Sequence, residues 1–328
     1  MRYVEIWSQA LVRSAVEITP GIRQLEIVPA GEAPSSFPFG GHINVGVLIG
    51  GKPDTRSYSI LSADGCFRIA VKLDRGGRGG SRYMWSLKPG ARLTISNAKT
   101  NFPLDFGRPD YLLIAGGIGI TPIYGMALAL ARRGARMRLA YTARQGSDLA
   151  CVEELQAALG DRLATFLSGQ GQRLDLGAEL GTLATGGLAM VCGPLRMIEE
   201  AKRVWKRLGR PPADLRFETF GSSGALAPEP FRVRVSQLGR EVTVPENRSM
   251  LDALAEAGVE VLSDCKRGEC GVCALNIIGV EGTVDHRDVF FSEQQKSRNH
   301  KICACVSRAT GTLIVDALIR PDVPRSRG

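Results

Sequence analysis

The sequence predicts a multidomain protein: an antiparallel β-barrel, then an α/β doubly wound domain, then a compact α+β domain. Three observations carry this. Residues 1 to about 105 alternate apolar and polar positions between Gly- and Pro-rich turns, as in Arg23-Gln24-Leu25-Glu26-Ile27-Val28 and Phe67-Arg68-Ile69-Ala70-Val71-Lys72-Leu73, the pattern of a small barrel. From Tyr111 the pattern changes to strands alternating with helices, which implies a mainly parallel sheet. Five of the eight cysteines then crowd between Cys265 and Cys305, in a segment with its own hairpin and helix.

A chain of 328 residues exceeds one ordinary core and suits two or three domains of roughly 100–150 residues. The boundaries expected are 1–106, 107–223 and 231–328. The small, proline-ended stretch 221–230 separates the last two, with the linker proper at 224–230. The net charge of +9 raises the question of nucleic acid. The basic residues are scattered as pairs (Arg132-Arg133, Lys202-Arg203, Lys206-Arg207) rather than gathered in one run. They read as solvated helix faces, with a docking face for an acidic partner as the alternative; no nucleic-acid partner is expected. The first residues hold no apolar core of a signal peptide. Tyr111–Ala131 is uncharged and long enough to suggest a membrane span. It contains Gly116, Gly117, Gly119 and Pro122, however, and reads better as strand, glycine turn and helix. A soluble, cytoplasmic protein with no membrane partner is expected.

In the second domain the pattern predicts a helix over Pro122–Arg133 ending at Gly134. Strands follow at Met137–Tyr141, Leu163–Leu167, Leu188–Cys192 and Leu215–Phe220, with helices at Cys151–Leu159 and Pro194–Leu208. Lys and Arg in the last turns of the final helix suit its dipole. In the third domain, Phe231–Val235 and Glu241–Val244 form a hairpin-like pair, and Ser249 caps a helix through Ala257.

The cysteine spacing is the most specific signal. Cys265, Cys270 and Cys273 form C-x4-C-x2-C, the spacing of a plant-type [2Fe–2S] centre with a distant fourth cysteine. Gly268 and Gly271 supply the tight turns by which such a loop aims its N–H groups at sulfur. Structural zinc calls for paired C-x2-C knuckles, and only one is present. For the fourth ligand, Cys303 and Cys305 both lie at a plausible distance, and spacing does not choose between them. Cys66, Cys151 and Cys192 sit in strand or helix patterns and read as core residues.

Two other stretches suggest anion and ring binding. Arg56-Ser57-Tyr58-Ser59 puts an aromatic suited to stacking beside a guanidinium suited to phosphate, although such a tetrapeptide also arises on an ordinary barrel surface. Gly76-Gly77-Arg78-Gly79-Gly80-Ser81 could form a nest of backbone N–H groups or be a simple hairpin loop. Gly116-Gly117-Ile118-Gly119-Ile120-Thr121-Pro122 follows an apolar strand and opens a helix, with Thr121 expected as its cap and Pro122 in its first turn. Free N–H groups there suit a pyrophosphate, although the glycine spacing departs from G-x-G-x-x-G.

Taken in order, Arg56-x-Tyr58-Ser59, Gly76–Ser81, Gly116–Pro122, Cys192-Gly193-Pro194, Phe217-Glu218-x-Phe220-Gly221, the cysteine loop, His286-Arg287-Asp288 and Cys305-Val306-Ser307-Arg308-Ala309 resemble the phthalate dioxygenase reductase family, vanillate demethylase reductase-type proteins included. The resemblance covers nearly the whole chain and implies a flavin domain, a nucleotide domain and a β-grasp-like ferredoxin domain. It implies FMN held by Arg56, Gly79, Gly80 and Ser81 at the phosphate, with Tyr58 and Ser59 lining the ring and Ser57, Val71 and Lys72 also among the cofactor-binding residues. It places Gly116, Gly117, Gly119 and Thr121 at the pyrophosphate of NADH, Cys192, Gly193 and Pro194 at the nicotinamide, and Glu218 and Phe220 near the flavin. It favours Cys305 over Cys303, because the last ligand stands directly before Val-Ser-Arg-Ala. Arg144, after the second nucleotide-domain strand, leaves NADPH open. The implied activity is that of an NAD(P)H-dependent reductase component. Hydride passes from NADH to FMN, and single electrons pass through [2Fe–2S] to an oxygenase, a Rieske-type one favoured. A cytochrome P450 or other haem acceptor is the alternative, and a redox-sensing binding module the more distant one. No general acid or base is assigned: His42 reads as a satisfied barrel residue and His286 as structural. A monomer is expected.

Overall fold

A computed structural model describes residues 5–31, 36–220 and 229–316; residues 224–228 of the expected linker lie outside the described residues. By packing, the chain divides into two units, 1–218 and 219–328, and the expected barrel and nucleotide domains share the first. Among the described residues no helix is long and apolar enough to cross a membrane.

In the first unit, β1 (Trp7–Thr19), β2 (Ile22–Pro29), β3 (His42–Ile49), β4 (Lys52–Ala63), β5 (Phe67–Lys72) and β6 (Arg92–Ser96) close into a barrel in the order β1-β2-β5-β4-β3-β6. The period-two pattern read from the sequence is the reason. Leu25 and Ile27, Ile43 and Val45, and Ile69 and Val71 point inward, and all six are buried. A short helix missed by the sequence reading, α1 (Gly80–Ser86), follows the barrel's glycine loop.

Beside the barrel, β7 (Tyr111–Gly116), β8 (Met137–Ala143), β9 (Leu163–Leu167), β10 (Leu188–Cys192) and β11 (Leu215–Glu218) form a parallel sheet in the order β11-β10-β7-β8-β9. The helices are α2 (Ile120–Arg132), α3 (Val152–Leu159), α4 (Leu176–Gly181) and α5 (Leu195–Arg207). Every residue of β7 is buried, as expected of a central parallel strand covered on both faces. The chain steps outward from β7 to β9 and returns to β10 on the other side, so strand order reverses between β7 and β10. Ligands bind at the carboxyl ends of strands at such a reversal.

Barrel and sheet share apolar contacts. Ile22, Leu61 and Ala70 of the barrel lie in one cluster with Leu113, Ile123 and Tyr141. Gly125 of α2 packs closely on Leu61 and Phe37: a Cβ there would stand 3.2 Å from the Leu61 carbonyl oxygen and 3.3 Å from the Phe37 ring. Arg68 of β5 reaches Glu154 at 2.9 Å and stacks 5.0 Å from the Tyr124 ring.

In the second unit, β12 (Phe231–Val235) and β13 (Arg240–Val244) are the expected hairpin. They are followed by α6 (Met250–Glu256), β14 (Ala274–Glu281), β15 (Val284–Asp285), α7 (Glu293–Ser297), β16 (Lys301–Cys303), β17 (Arg308–Ala309) and β18 (Thr312–Asp316). The mixed sheet runs β13-β12-β18-β14-β16, with β12 and β18 parallel, and α6 buries Met250, Leu251 and Leu254 in the core that this sheet shares.

Ser249 caps α6 as expected: its hydroxyl accepts from the Asp252 N–H at 3.0 Å. Ser249→Ala leaves that donor without its partner and is expected to cost about 1 kcal/mol, read as an earlier unfolding transition of the second unit. An unchanged transition would show that the cap contributes nothing.

Candidate functional site

The structure brings Arg56 and the glycine loop together. Arg56 is on β4 and pairs with Asp54 at 2.7 Å, its side chain mostly buried. A Cβ on Gly80 would stand 2.6 Å from Arg56 Nε, so the missing side chain lets the guanidinium lie on the start of α1. Gly79, at φ +89, turns the chain into that helix. Gly80 and Ser81 are thus helical, where the sequence suggested loop. Ser81 Oγ accepts from the Asp74 N–H at 3.0 Å and closes the turn. Tyr58 shares the Arg56 face of β4, and burial pushes its hydroxyl above the usual phenol range. Ser57 donates to Asn44 Oδ1 at 2.6 Å, and Ser59 is buried opposite His42. Val71 is buried in the barrel core, and its carbonyl accepts from the Trp85 indole at 3.0 Å. Lys72 pairs with Asp148 at 3.1 Å and so faces the nucleotide side.

At the strand-order reversal, two motifs almost eighty residues apart become one surface. β7 and β10 are neighbours with Ala115 beside Cys192. A Cβ on Gly119 would fall 2.6 Å from the Cys192 carbonyl carbon, one on Gly116 would fall 2.6 Å from Pro194 Cδ, and one on Gly193 would fall 3.0 Å from Gly116 Cα. Glycine at all three positions is therefore a packing requirement. Gly117, at φ +53, makes the turn into α2. Thr121 departs from expectation. The helix begins at Ile120 after Gly119, and the Thr121 hydroxyl donates to the Ile118 carbonyl at 3.0 Å. Its oxygen therefore caps no N–H, because a 3₁₀ turn over Gly117–Gly119 already starts the helical path. Glu218 is buried beside Cys192, and Phe220, 37% exposed, falls in the second unit.

A cavity of about 970 Å³ opens at this end of the sheet, lined by Gly116, Gly117, Pro194 and Lys72. The sequence reading missed Thr142, Ser168, Arg173, Arg196 and Met197, which also line it. The signal for the first three was their position at or after the ends of β8 and β9, where a doubly wound sheet binds its ligands.

The cysteine loop is built to meet sulfur. Gly268 at φ +76 and Gly271 at φ +72 give its turns. The Arg267 N–H donates to Cys265 Sγ at 3.4 Å, the Val272 N–H to the Cys270 sulfur, and the Gly268 N–H to the Cys305 sulfur. Cys265 contacts Cys270, while Cys273 contacts both Cys303 and Cys305. Hydrogen bonding to Cys303 and Cys305 holds the Cys273 thiol far below the ordinary range, while that bonding and burial push Cys303 and Cys305 up. Among the described residues no three metal-binding side chains surround one point. A two-iron cluster asks for thiolates in pairs, two on each iron; Cys265 and Cys270 form one such pair, and Cys273 has Cys303 and Cys305 beside it for the other.

The segment after β15 braces this loop. The Val289 and Phe290 N–H groups donate to the Gly268 carbonyl at 3.0 and 3.2 Å, and the Phe290 ring lies on Gly271. Asp288 is fully buried, accepts from the Ser307 hydroxyl at 3.2 Å and the Phe291 N–H at 2.9 Å, and faces His286 at 3.6 Å. Burial raises its carboxyl, but His286, the Phe291 N–H and the Lys296 charge outweigh it and hold it below the usual range. His286 also meets Asn299 at 2.9 Å, the structural role expected. His42 is buried in β3.

Arg56 set against the Gly79–Gly80 turn of the barrel, a nucleotide crevice and a sulfur-directed loop on one chain define an iron–sulfur flavoprotein oxidoreductase that takes its electrons from NAD(P)H. Residues 113–166 match the oxidoreductase NAD-binding domain family, and residues 233–310 the 2Fe-2S iron-sulfur cluster binding domain family. The chain is 37% identical over 303 residues to the heme-dependent oxidative N-demethylase beta subunit of Ectopseudomonas mendocina (strain ymp), covering 91% of this chain and 95% of that one. It is 32% identical over 307 residues to the carnitine monooxygenase reductase subunit of Escherichia coli (strain K12), covering 91% and 94%. The solved structure of phthalate dioxygenase reductase superposes with a TM-score of 0.74 at 29% identity, covering 94% and 98%. The chain belongs to the phthalate dioxygenase reductase family, with FMN, NADH and a [2Fe–2S] cluster as its cofactors.

Gly119→Ala sets a methyl group against the Cys192 carbonyl. The expected result is a loss of about 1–3 kcal/mol, seen as a lowered thermal transition of the first unit. An unshifted transition would mean that β7 and β10 separate without cost.

Proposed function

We propose that this chain is the reductase component of a multicomponent oxygenase, taking hydride from NADH and delivering single electrons to a separate oxygenase component. The observation that carries the reading is the Cys265–Cys273 loop with its N–H groups on sulfur, on the same chain as the glycine crevice at β7 and β10. Bound flavin supplies the conversion of an electron pair into single electrons, and the protein supplies position and electrostatics.

Each part of the chain has a role in this. Arg56 with Gly79, Gly80 and Ser81 binds the flavin phosphate, and Tyr58 with Ser57 and Ser59 lines the ring. The first turn of α2, with Gly116, Gly117, Gly119 and Thr121, receives the dinucleotide pyrophosphate, where the helix N-terminus and free N–H groups favour negative charge. Cys192, Gly193 and Pro194 border the nicotinamide, with Glu218 and Phe220 nearby. Cys265, Cys270, Cys273 and Cys305 hold the cluster. Cys305 is preferred to Cys303 because it stands directly before Val306-Ser307-Arg308-Ala309, where the family resemblance puts the last ligand, and because its sulfur accepts the Gly268 N–H.

A Rieske-type oxygenase is the acceptor we favour, in line with phthalate dioxygenase reductase. A haem acceptor is the second reading, favoured by the heme-dependent N-demethylase named above. Reduction of purified acceptors of each kind separates them: rapid reduction of a Rieske centre with none of a haem protein supports the first, and the reverse supports the second.

Cys270→Ser and Cys305→Ser are each expected to remove the iron–sulfur absorbance while the flavin still bleaches with NADH under anaerobic conditions. Cytochrome c reduction should then fall by about tenfold or more. Cys303→Ser should keep the cluster. Loss of the cluster in Cys303→Ser with retention in Cys305→Ser would reverse the assignment. Normal cytochrome c turnover in Cys270→Ser would refute the route through the cluster.

A further inference from the structure

The nucleotide cavity holds cations at the carboxyl ends of β8 and β9, the end of a doubly wound sheet at which ligands bind. At the carboxyl ends of β8 and β9 it is lined by Thr142, Arg144, Ser168 and Arg173, and Arg196 of α5 lines it as well. Two acidic side chains face it, and both are engaged: Asp148 by Lys72 at 3.1 Å and Glu200 by Arg203 one turn on. Among the described residues no carboxylate pairs with Arg144, Arg173 or Arg196. The chain also fixes where Arg144 stands. The Gly169 N–H donates to the Arg144 carbonyl at 2.8 Å, and a Cβ on Gly169 would lie 2.5 Å from that oxygen. The turn after β9 is thus held against the end of β8.

The chemistry of the two pyridine nucleotides makes this arrangement informative. The ribose of NADH ends in a hydroxyl pair that donates hydrogen bonds, so a site selective for NADH offers a carboxylate there. The ribose of NADPH carries a 2′-phosphate, which calls for guanidinium groups and hydroxyl donors. The cavity rim has guanidinium groups and the rotatable hydroxyls of Thr142 and Ser168, and both its carboxylates are neutralised.

We infer that the ends of β8 and β9 form a 2′-phosphate subsite, with Arg144 and Arg173 as specificity-determining residues, so that the reductase accepts NADPH as well as NADH. This rests on the nucleotide crevice described under the proposed function. Arg144 meets the phosphate from the end of β8 and Arg173 from the turn after β9. Removal of either cation weakens the phosphorylated nucleotide selectively.

The test is steady-state cytochrome c reduction by the purified holoprotein with each nucleotide, and competitive inhibition by 2′,5′-ADP and 5′-AMP. The native protein is expected to use NADPH with a kcat/KM within about tenfold of that for NADH, and to bind 2′,5′-ADP more tightly than 5′-AMP. In Arg144→Ala and Arg173→Ala, with flavin content verified by absorbance, the NADPH-to-NADH ratio of kcat/KM should fall by about ten- to hundredfold. The preference for 2′,5′-ADP should fall with it. A native protein that uses NADH well and NADPH a hundredfold worse would overturn the inference while leaving the reductase reading in place. Ratios unchanged in both variants would overturn it equally. Reduction by neither nucleotide would remove the reductase reading itself, and this subsite with it.

Discussion

The close approach of β7 to β10 is the constraint on which the nucleotide half of the protein rests. Parallel pairing puts Ala115 beside Cys192, and the chain beyond each strand must then turn away without a side chain between the two. Gly116, Gly119 and Gly193 satisfy that requirement together, since a methyl group on any of them would meet the opposite segment. Because the strands stop there, backbone N–H groups at the start of α2 are left for a ligand rather than for the sheet. Packing and binding capacity thus come from the same absence of side chains.

The cysteine loop is governed by a different economy of contacts. Its turns are set by Gly268 and Gly271, but the loop is held from outside by Val289, Phe290 and the buried Asp288. Arg308 ties the adjoining segment down by donating to the carbonyls of Arg248, Pro245 and Glu229. Sulfur geometry here depends on residues well outside the cysteine spacing, in keeping with the general weight of outer-shell contacts in metal sites.

Much of this was readable in the sequence, for identifiable reasons. Period-two alternation in β2 and β5 and the continuous apolar run of β7 follow directly from which faces are buried. Ser249 caps as its position implies. C-x4-C-x2-C is specific because few loops need it. The rest depended on contacts between distant residues. Short helices such as α1 and α4 are one or two turns held by tertiary packing, so periodicity over a long window does not reveal them. Thr121 has the composition of a cap, but the preceding 3₁₀ turn removed the need for one. Arg173 and Arg196 look like solvated surface charge until the fold places both along one cavity. Between Cys303 and Cys305 the spacing is silent, since both stand at a plausible distance from Cys273.

The shared core between barrel and sheet has a consequence for how the molecule comes apart. Leu61 and Ala70 lose their apolar neighbours, and Arg68 its carboxylate, if the chain is divided near residue 106. Residues up to 218 therefore form one cooperative block, although they carry two architectures. The second unit owns its own apolar interior, centred on Val233, Leu254 and Leu313. Exchange of electron-carrying modules between related proteins is accordingly simplest at the junction near 218, and recombination between barrel and sheet would have to rebuild a core.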